Sequence, residues 1–333
     1  MISVVIPVKN GGEDLRRCLG AVARQRVDER VEVLVADSGS DDNSAEIARS
    51  CDAVVLDVAS DAFLHGATRN LAAEQAGGDV LVFTSQDAYA EDEHWLDRLS
   101  TSLRSDPGLA GVYGRQIARD DASPPERFFL DFLYGSHERV QRASDPGELS
   151  MRTTLFSNVN SAITRDVWKE FPFAENAFFG EDQEWGRRVL LAGYAIRYEP
   201  TAAVRHSHSY TVKTAFKRFF DTGASAERGF LAGGAASAGV LRREALRYAR
   251  EELAWLMRTG QQRWIPYAAV YELAKFLGLQ AGARHRMLPL SLKRRWSFYP
   301  GYWESVDQGS GGSGQTASAQ NTRAASDSGA DSR

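Results

Sequence analysis

Short apolar runs alternate with amphipathic stretches along the first ninety residues of the chain. Four runs have the length and the β-branched content of buried strands: SVVIPV (3–8), VEVLVAD (31–37), AVVLDV (53–58) and DVLVFTS (79–85). Between them, apolar residues recur at helical spacing from Leu15 to Val22, and further helices are predicted from about Ser44 and over residues 66–76. Strands that alternate with helices indicate βαβ units. We therefore predict an α/β fold with a mostly parallel central sheet flanked by helices.

The pattern is less regular in the middle of the chain. A strand is predicted over residues 111–118, a lid-like excursion begins at 121–129, and residues 155–168 predict a polar-rich strand followed by a short helix. A helix over residues 181–193, a last strand and a histidine-bearing loop complete the pattern up to about residue 210.

Helix-forming residues dominate from about residue 211. Helices are predicted over residues 211–230, 240–258 and 264–280, and the last is the most apolar, although Glu272 and Lys275 argue against a membrane span. The end of the chain is rich in Gly, Ser and Ala, a composition that favours disorder. The predicted parts are a catalytic α/β domain over residues 1–210, a membrane-associated or oligomerising helical region over 211–304, and a disordered tail over 305–333.

The composition excludes several classes of protein. Of the 333 residues, 43% are hydrophobic and 25% are charged, as in globular proteins. The net charge of −4 excludes a globally basic nucleic-acid-binding protein. Two cysteines, Cys18 and Cys51, exclude a disulfide framework and a four-cysteine zinc site. Because MISVVIPVKN lacks the charged lead and long apolar core of a signal peptide, we expect a cytoplasmic protein.

One basic segment departs from this acidic average. Residues 284–296 carry five Arg and Lys side chains and no acid, and five aromatic residues lie within 296–303. Basic and aromatic residues together are attracted to an anionic membrane surface, which predicts peripheral contact with the inner face of the plasma membrane. A solvated helix end packed on the domain explains the same residues equally well.

Polar side chains follow the predicted strands at their carboxyl ends, where ligands of parallel sheets bind. Asp37 ends the second strand, and an acid there can accept hydrogen bonds from a nucleobase or a ribose. The residues from Ser40 to Ser44 are typical of a helix N-cap. Arg69 lies near the start of a predicted helix and is suited to bind phosphate, although pairing with an acid is the simpler interpretation.

A divalent cation that bridges two phosphates needs one or two protein carboxylates. Asp87 follows the fourth strand and offers one, and His206 or His208 offers a further ligand. Together with Asp37 and Arg69, these residues form a coherent set for a base, its phosphates and a metal ion, Mg²⁺ or Mn²⁺.

Three acids open the helix predicted over residues 181–193: Glu181, Asp182 and Glu184. Acids in the first turn of a helix offset the positive end of its dipole, so capping alone can explain them. A functional cluster of acids is the alternative, and these residues by themselves leave both open.

The sequence resembles glycosyltransferase family 2, whose catalytic domains have the GT-A fold. The resemblance covers roughly residues 2–215 and rests on six motifs in the family's order: IPVKN, DSGSDDNS, HGATRN, SQDA, FGEDQEWGRRV and RHSHSY. The combination FLHGATRN…FTSQDAYAEDEHWL looks especially like bacterial rhamnosyltransferases that use dTDP-L-rhamnose. The resemblance implies an inverting transfer of L-rhamnose from a dTDP-sugar to a saccharide or lipid-linked glycan in cell-envelope polysaccharide synthesis.

The resemblance also implies roles for individual residues. Those implied to bind the nucleotide-sugar are Pro7, Val8, Asn10, Asp37, Ser38, Arg69, Gln86 and Asp87. Only Asp87 matches a metal-binding acid, with His206 as the late histidine ligand and His208 as its alternative. Asp182 matches the catalytic base. Residues assigned to the acceptor or the sugar are Asn158, Ser161, Glu181 and Trp185, although Glu181 can also orient the loop and Trp185 can be a core residue.

Three other functions are weighed against this one. A UDP-sugar donor is the nearest alternative within the family. A sugar-phosphate nucleotidyltransferase would carry an Arg- or Lys-bearing Gly-rich loop after the first strand, whereas this chain has VKNGGEDL. A non-catalytic nucleotide- or saccharide-binding module would not need Asp37, Arg69, Asp87 and Asp182 together.

Overall fold

The computed structural model describes residues 1–59, 64–226 and 238–304. The predicted disordered tail over 305–333 and the end of the helix predicted over 211–230 lie outside the described residues.

The four predicted strands form one half of a central sheet. They are β1 (Ile2–Val8), β2 (Val31–Asp37), β3 (Val54–Asp57) and β4 (Val80–Thr84). They are parallel and lie in the order β3-β2-β1-β4. The connecting helices are α1 (Gly12–Ala23), α2 (Ser44–Ser50) and α3 (His65–Gln75). Val8 pairs with Asp37, so the carboxyl ends of β1 and β2 lie side by side.

The second half of the sheet is mixed. Its elements are β5 (Tyr89–Ala90), α4 (Trp95–Arg104), β6 (Leu109–Ile117), α5 (Pro124–Leu133), β7 (Arg139–Gln141), β8 (Asn160–Thr164), α6 (Arg165–Glu170), α7 (Glu181–Leu191) and β9 (Ala195–Arg205). The order continues β4-β8-β6-β9-β5, with β8 antiparallel to both of its neighbours. The mostly parallel sheet predicted from the sequence is thereby confirmed.

Both faces of the sheet are buried, which explains the near-continuous apolar runs. Along β1, Val5 packs on one face with α3, α6 and α7, whereas Val4 and Ile6 pack on the other face with α1 and α4. The same alternation holds in β4 for Phe83 and Val82.

The prediction of a lid-like excursion that begins at residues 121–129 is wrong, because helix α5 begins at Pro124. Ser123 accepts a hydrogen bond from the backbone N–H of Glu126, and Pro124 occupies the first helical position, where its missing N–H costs nothing. The segment SPPE therefore starts a helix rather than a lid.

The C-terminal helices are α8 (Val212–Ser225), α9 (Ala238–Arg258), α10 (Ile265–Ala283) and α11 (Leu290–Trp296). Helices α8 and α10 approach backbone to backbone, because Gly223, Gly278 and Gly282 lie at the contact. Among the described helices, none is both long and apolar enough to cross a bilayer.

Of the five aromatic residues at 296–303, all except Phe298, which is 38% exposed, are at least partly buried in the protein. Trp303 is 5% exposed, and the Tyr302 ring stacks on Phe178 with 4.1 Å between centroids. Trp296 meets Phe220 edge to face. These rings therefore hold the C-terminal segment against the loop before α7, and the alternative of a packed helix end describes them better than a membrane contact does.

We expect Gly282→Ala to lower the free energy of unfolding by about 1–3 kcal/mol, because an added Cβ would overlap the Phe220 carbonyl oxygen and push α10 away from α8. Urea denaturation of the two proteins measures this. Gly301→Ala is the matched control, since no atom lies within 4 Å of a Cβ at that position. Equal losses in both variants would contradict the backbone contact.

Candidate active site

A cavity of about 570 Å³ lies at the carboxyl ends of the strands. Its walls are the ends of β1 and β4, the first turn of α7, the loop after β9 and parts of α5, α8 and α10. Ten of the residues predicted from the sequence line it: Pro7, Val8, Arg69, Gln86, Asp87, Asn158, Glu181, Asp182, His206 and His208. Residues more than a hundred positions apart thus share one site.

Asp37, Ser38 and Asn10 lie beside this cavity rather than in its wall. Asp37 accepts hydrogen bonds at Oδ1 from the backbone N–H and the hydroxyl of Ser40, at 3.0 and 2.6 Å. The Ser38 backbone N–H donates to the Val8 carbonyl at 2.8 Å. Asn10 has a left-handed backbone with φ 51°, and its Oδ1 accepts from the N–H of Asp41 at 2.8 Å. These bonds tie the loop after β1 to the loop after β2.

Gln86 joins the ends of β1 and β4. Its Oε1 accepts from the Lys9 backbone N–H at 2.8 Å, and its Nε2 donates to the Lys9 carbonyl at 3.1 Å. Both ends of the amide are engaged with the backbone, so the side chain fixes the loops on which Asp87 and Val8 stand.

Asp87, His206 and His208 form the one cluster suited to a metal ion in the described ranges of the chain. Their ligand atoms all lie within 4.8 Å of one another. His206 Nε2 lies 3.6 Å and His208 Nδ1 lies 3.7 Å from the Asp87 carboxylate. One carboxylate and two imidazoles are a ligand set for a divalent metal ion. The structure brings both histidines to Asp87, so they need not be alternatives.

The tautomer of His206 follows from Gln116, a residue that the sequence analysis missed. Gln116 Nε2 donates to the Tyr134 hydroxyl at 2.8 Å and to Ser157 Oγ at 2.9 Å, which leaves Oε1 to accept from His206 Nδ1 at 3.0 Å. A protonated Nδ1 leaves the lone pair on Nε2, directed at Asp87. Burial lowers the pKa of His206 to about 4 and also lowers the pKa of His208. Two acceptors therefore face each other, an arrangement that a cation satisfies.

The loop before α7 sets the position of Asp182. Gly180 adopts the left-handed conformation, with φ 74°, and the helix begins at the next residue. Glu181 is turned inward, where its Oε1 accepts from Arg69 Nη1 at 2.7 Å and from Asn158 Nδ2 at 3.3 Å. Both members of the ion pair are about 6% exposed at the side chain. Arg69 is thus paired with a buried acid.

The two carboxyl groups of this helix turn, Glu181 and Asp182, have pKa values shifted in opposite directions. Burial opposes ionisation of Glu181, but the Arg69 guanidinium together with His65, the backbone N–H of Glu181 and the Asn158 side chain outweighs it, so the pKa of that group is lowered. Burial and the ionised Glu181 together raise the pKa of Asp182 to about 7, against the Arg69 charge and the backbone N–H groups of Gln183 and Asn158. A carboxylate with a pKa near 7 is a stronger base than an ordinary carboxylate, and about half of it is ionised at neutral pH.

Only some of the residues assigned to the acceptor or the sugar line the cavity. Asn158 lines the cavity, whereas Ser161 is fully buried behind it and donates to Asn158 Oδ1 at 3.1 Å. Trp185 does not reach the cavity. Its ring packs 4.4 Å from the Phe156 ring, and its Nε1 donates to the Phe171 carbonyl at 2.8 Å. Trp185 is a core residue, and its assignment to the acceptor site is wrong.

Two arginines were also missed by the sequence analysis. Arg119 Nη2 donates to the Asp87 carbonyl at 2.6 Å and to the Asp14 carboxylate at 3.1 Å, so it holds the loop of the metal cluster. Arg218 on α8 lines the cavity and lies 4.0 Å over the Phe179 ring. No carboxylate in the described part of the chain forms an ion pair with Arg218. Its only local signal was a basic residue beside two phenylalanines, which is common on helix surfaces.

Known proteins with similar sequences are glycosyltransferases. Residues 3–168 match the model of the family described as Glycosyl transferase family 2. The chain is 34% identical over 318 residues to the O-antigen chain rhamnosyltransferase RfbN of Salmonella typhimurium, covering 93% of this chain and 98% of the relative. It is 32% identical over 316 residues to the O-antigen chain rhamnosyltransferase WbaN of Salmonella anatum, covering 92% and 97%.

Among solved structures, the fold is similar to that of the mannosyltransferase PcManGT from Pyrobaculum calidifontis in complex with GDP-Man and Mn²⁺. The TM-score is 0.52 at 16% identity, over 94% of this chain and 88% of that chain. This likeness concerns the fold alone and confirms the predicted GT-A architecture. With the two relatives covered almost end to end, the chain is an enzyme that transfers a sugar, and it belongs to glycosyltransferase family 2.

Proposed function

We propose that this enzyme transfers L-rhamnose, with inversion, from a dTDP-sugar to the saccharide of a lipid-linked cell-envelope glycan at the inner face of the plasma membrane. The two O-antigen chain rhamnosyltransferases, similar over almost their whole length, support the sugar and the pathway class. The observation that carries the reaction type is that Asp182, with a pKa near 7, lines the same cavity as the Asp87 cluster.

Asp182 is the proposed base. Its carboxylate takes the proton of the acceptor hydroxyl as that oxygen forms a bond to the anomeric carbon. The bond between the anomeric carbon and the diphosphate oxygen breaks, and the nucleoside diphosphate leaves with the electron pair. A single displacement of this kind inverts the anomeric centre. Arg69 acts through Glu181, because their ion pair fixes the first turn of α7.

The donor is proposed to bind across the ends of β1, β2 and β4. Pro7, Val8, Asn10, Asp37 and Ser38 lie at the nucleoside end, where the Asp37 carboxylate is fixed by Ser40. Since Arg69 is already neutralised by Glu181, Arg218 is the better partner for the diphosphate. Asp87, His206 and His208 would hold Mg²⁺ or Mn²⁺, which would offset the charge of the leaving diphosphate. The Mn²⁺ in the PcManGT complex supports this choice of ion.

The acceptor is proposed to enter from the side of the cavity formed by the helices. The aromatic residues Phe129, Phe219 and Tyr271 line the cavity there, and Asn158 lines it as well. Aromatic faces and amides are common contacts for sugar rings and hydroxyls. Glu181 supports this wall from behind through Asn158.

We expect Asp182→Asn to lower the rate of sugar transfer by about 10²–10⁴-fold, because an amide cannot accept the acceptor proton. Transfer of labelled rhamnose from dTDP-rhamnose to membrane acceptor measures the rate, and stabilisation by dTDP should change little. Glu184→Gln is the matched control, since Glu184 stands in the same helix turn and pairs with Arg188 outside the cavity. Full transfer by Asp182→Asn would remove Asp182 from the mechanism.

The pH dependence of kcat/KM should follow Asp182. The base acts in its ionised form, so the rate should rise with pH, reach half of its maximum near pH 7 and level off above it. This rising limb should be absent from the residual activity of Asp182→Asn. A midpoint near pH 4 would show instead that the catalytic carboxylate is unperturbed.

Nucleotide binding should depend on the Asp87 cluster. With Mg²⁺ or Mn²⁺, dTDP should raise the melting temperature more than UDP, GDP or CMP does. A ligand present at 100 times its Kd adds about 2.7 kcal/mol to the free energy of unfolding. Asp87→Asn should abolish the part of the shift that needs the cation, whereas Asp97→Asn, on the exposed face of α4, should not. A larger shift with UDP would replace the donor and keep the enzyme class. No shift with any nucleotide would contradict the function.

A further inference from the structure

Helix α10 exposes only apolar residues. Those that face solvent are Pro266, Ala269, Val270, Leu273, Phe276 and Leu277. Val270 and Leu273 are more than half exposed, at 55% and 56%. The spacing of three and four residues places them in one stripe along the helix. A surface helix of a globular protein normally has polar residues on that side, so this stripe needs an explanation.

Helix α9, which packs against α10, also exposes apolar residues. Leu246, Leu253 and Met257 are 56%, 43% and 56% exposed and recur at helical spacing. The helix contacts α10, where Lys275 Nζ lies 4.9 Å from the Tyr248 ring centroid. The α9–α10 surface is defined here by its largest exposed apolar residues: Leu246, Leu253, Met257, Val270, Leu273 and Leu277.

The exposed charges of this part of the chain are mostly positive. Residues 243–304 contain eleven Arg and Lys residues against five Glu and no Asp, in a chain whose net charge is −4. Every arginine in this part is exposed, whereas only Glu244 and Glu251 among the acids are. Arg247 pairs with Glu251, and Arg294 pairs with Glu304. The exposed arginines are Arg243, Arg247, Arg250, Arg258, Arg263, Arg284, Arg286, Arg294 and Arg295.

The charge decides between the partners that could cover such a surface. A second copy of the chain would bring the same arginines against these ones and would be repelled. An anionic bilayer offers acyl chains to the apolar stripes and phosphate headgroups to the arginines. We propose that the α9–α10 surface docks the enzyme on an anionic phospholipid bilayer.

The surface lies close to the site that it would serve. Helix α10 exposes its stripe on one side, while Tyr271 and Lys275 on its other side line the cavity. The bilayer would therefore be separated from the cavity by about 10 Å, the diameter of one helix. This proposal rests on the proposed lipid-linked acceptor, and it assigns the contact to α9 and α10 instead of the packed aromatic residues at 296–303.

Vesicle sedimentation of the full chain tests the proposal. Binding to vesicles of phosphatidylglycerol and phosphatidylcholine should exceed binding to pure phosphatidylcholine by about tenfold or more and should weaken with salt. The double variant Leu273→Glu/Leu277→Glu should lose about tenfold or more of this binding. Leu71→Glu is the matched control, because Leu71 is 40% exposed on α3, away from the surface. Arg247→Gln/Arg250→Gln should reduce binding to the anionic vesicles alone.

The melting temperature with and without dTDP and cation separates this proposal from the proposed function. If nucleotide still stabilises the double variant while vesicle binding is lost, the docking surface is supported with a folded active site. Absent or headgroup-independent binding, or equal loss in Leu71→Glu, would overturn the surface and leave the transferase function standing. A dimer in analytical ultracentrifugation that the double variant dissociates would assign the surface to a second copy instead.

Discussion

The buried ion pair between Arg69 and Glu181 is the interaction on which the site depends. It joins α3 to the first turn of α7, over 112 residues of chain, at a point where both side chains are almost fully excluded from water. Removing either partner would leave an uncompensated charge, which costs far more than the pair contributes. The pair also affects the pKa of its neighbour. Burial of Asp182 raises that pKa most, and the ionised Glu181 beside it raises it further, by more than the Arg69 charge lowers it.

The cluster of Asp87, His206 and His208 is likewise held in place by neighbouring side chains, here the neutral amides of Gln86 and Gln116. Gln86 forms hydrogen bonds with the backbone of Lys9. Gln116 forms hydrogen bonds with Tyr134, Ser157 and His206. Both amides are hydrogen-bonded to the protein at their oxygen and their nitrogen, and each fixes the position of a residue proposed to bind a ligand. Arg119 adds a third support through the Asp87 carbonyl. The residues that would meet the substrate are thus held by residues that would not.

Much of the architecture could be predicted from the sequence because the sheet is buried on both faces. Continuous apolar runs mark such strands directly, and the polar residues that follow them, Asp37 and Asp87, mark the edge at which ligands bind. The helix at 121–129 was missed because SPPE was taken for a loop, although Ser-Pro is a regular helix start. Trp185 and Gln116 show the limit for side chains: helical or strand periodicity indicates which residues are buried, but not whether they meet a cavity or another core residue.

Helix α10 illustrates why the C-terminal region was harder. Its sequence is apolar on nearly all sides, which predicts a helix buried all round. The structure uses the small residues Gly278 and Gly282 to bring one side against the backbone of α8, and it places Tyr271 and Lys275 toward the cavity. The contact with α8 and the cavity-lining residues occupy only part of the circumference of α10, and the remaining apolar stripe faces solvent. Composition alone drew attention to the basic residues at 284–296, since charge is visible in a sequence, whereas the exposure of an apolar residue depends on which neighbours the fold supplies.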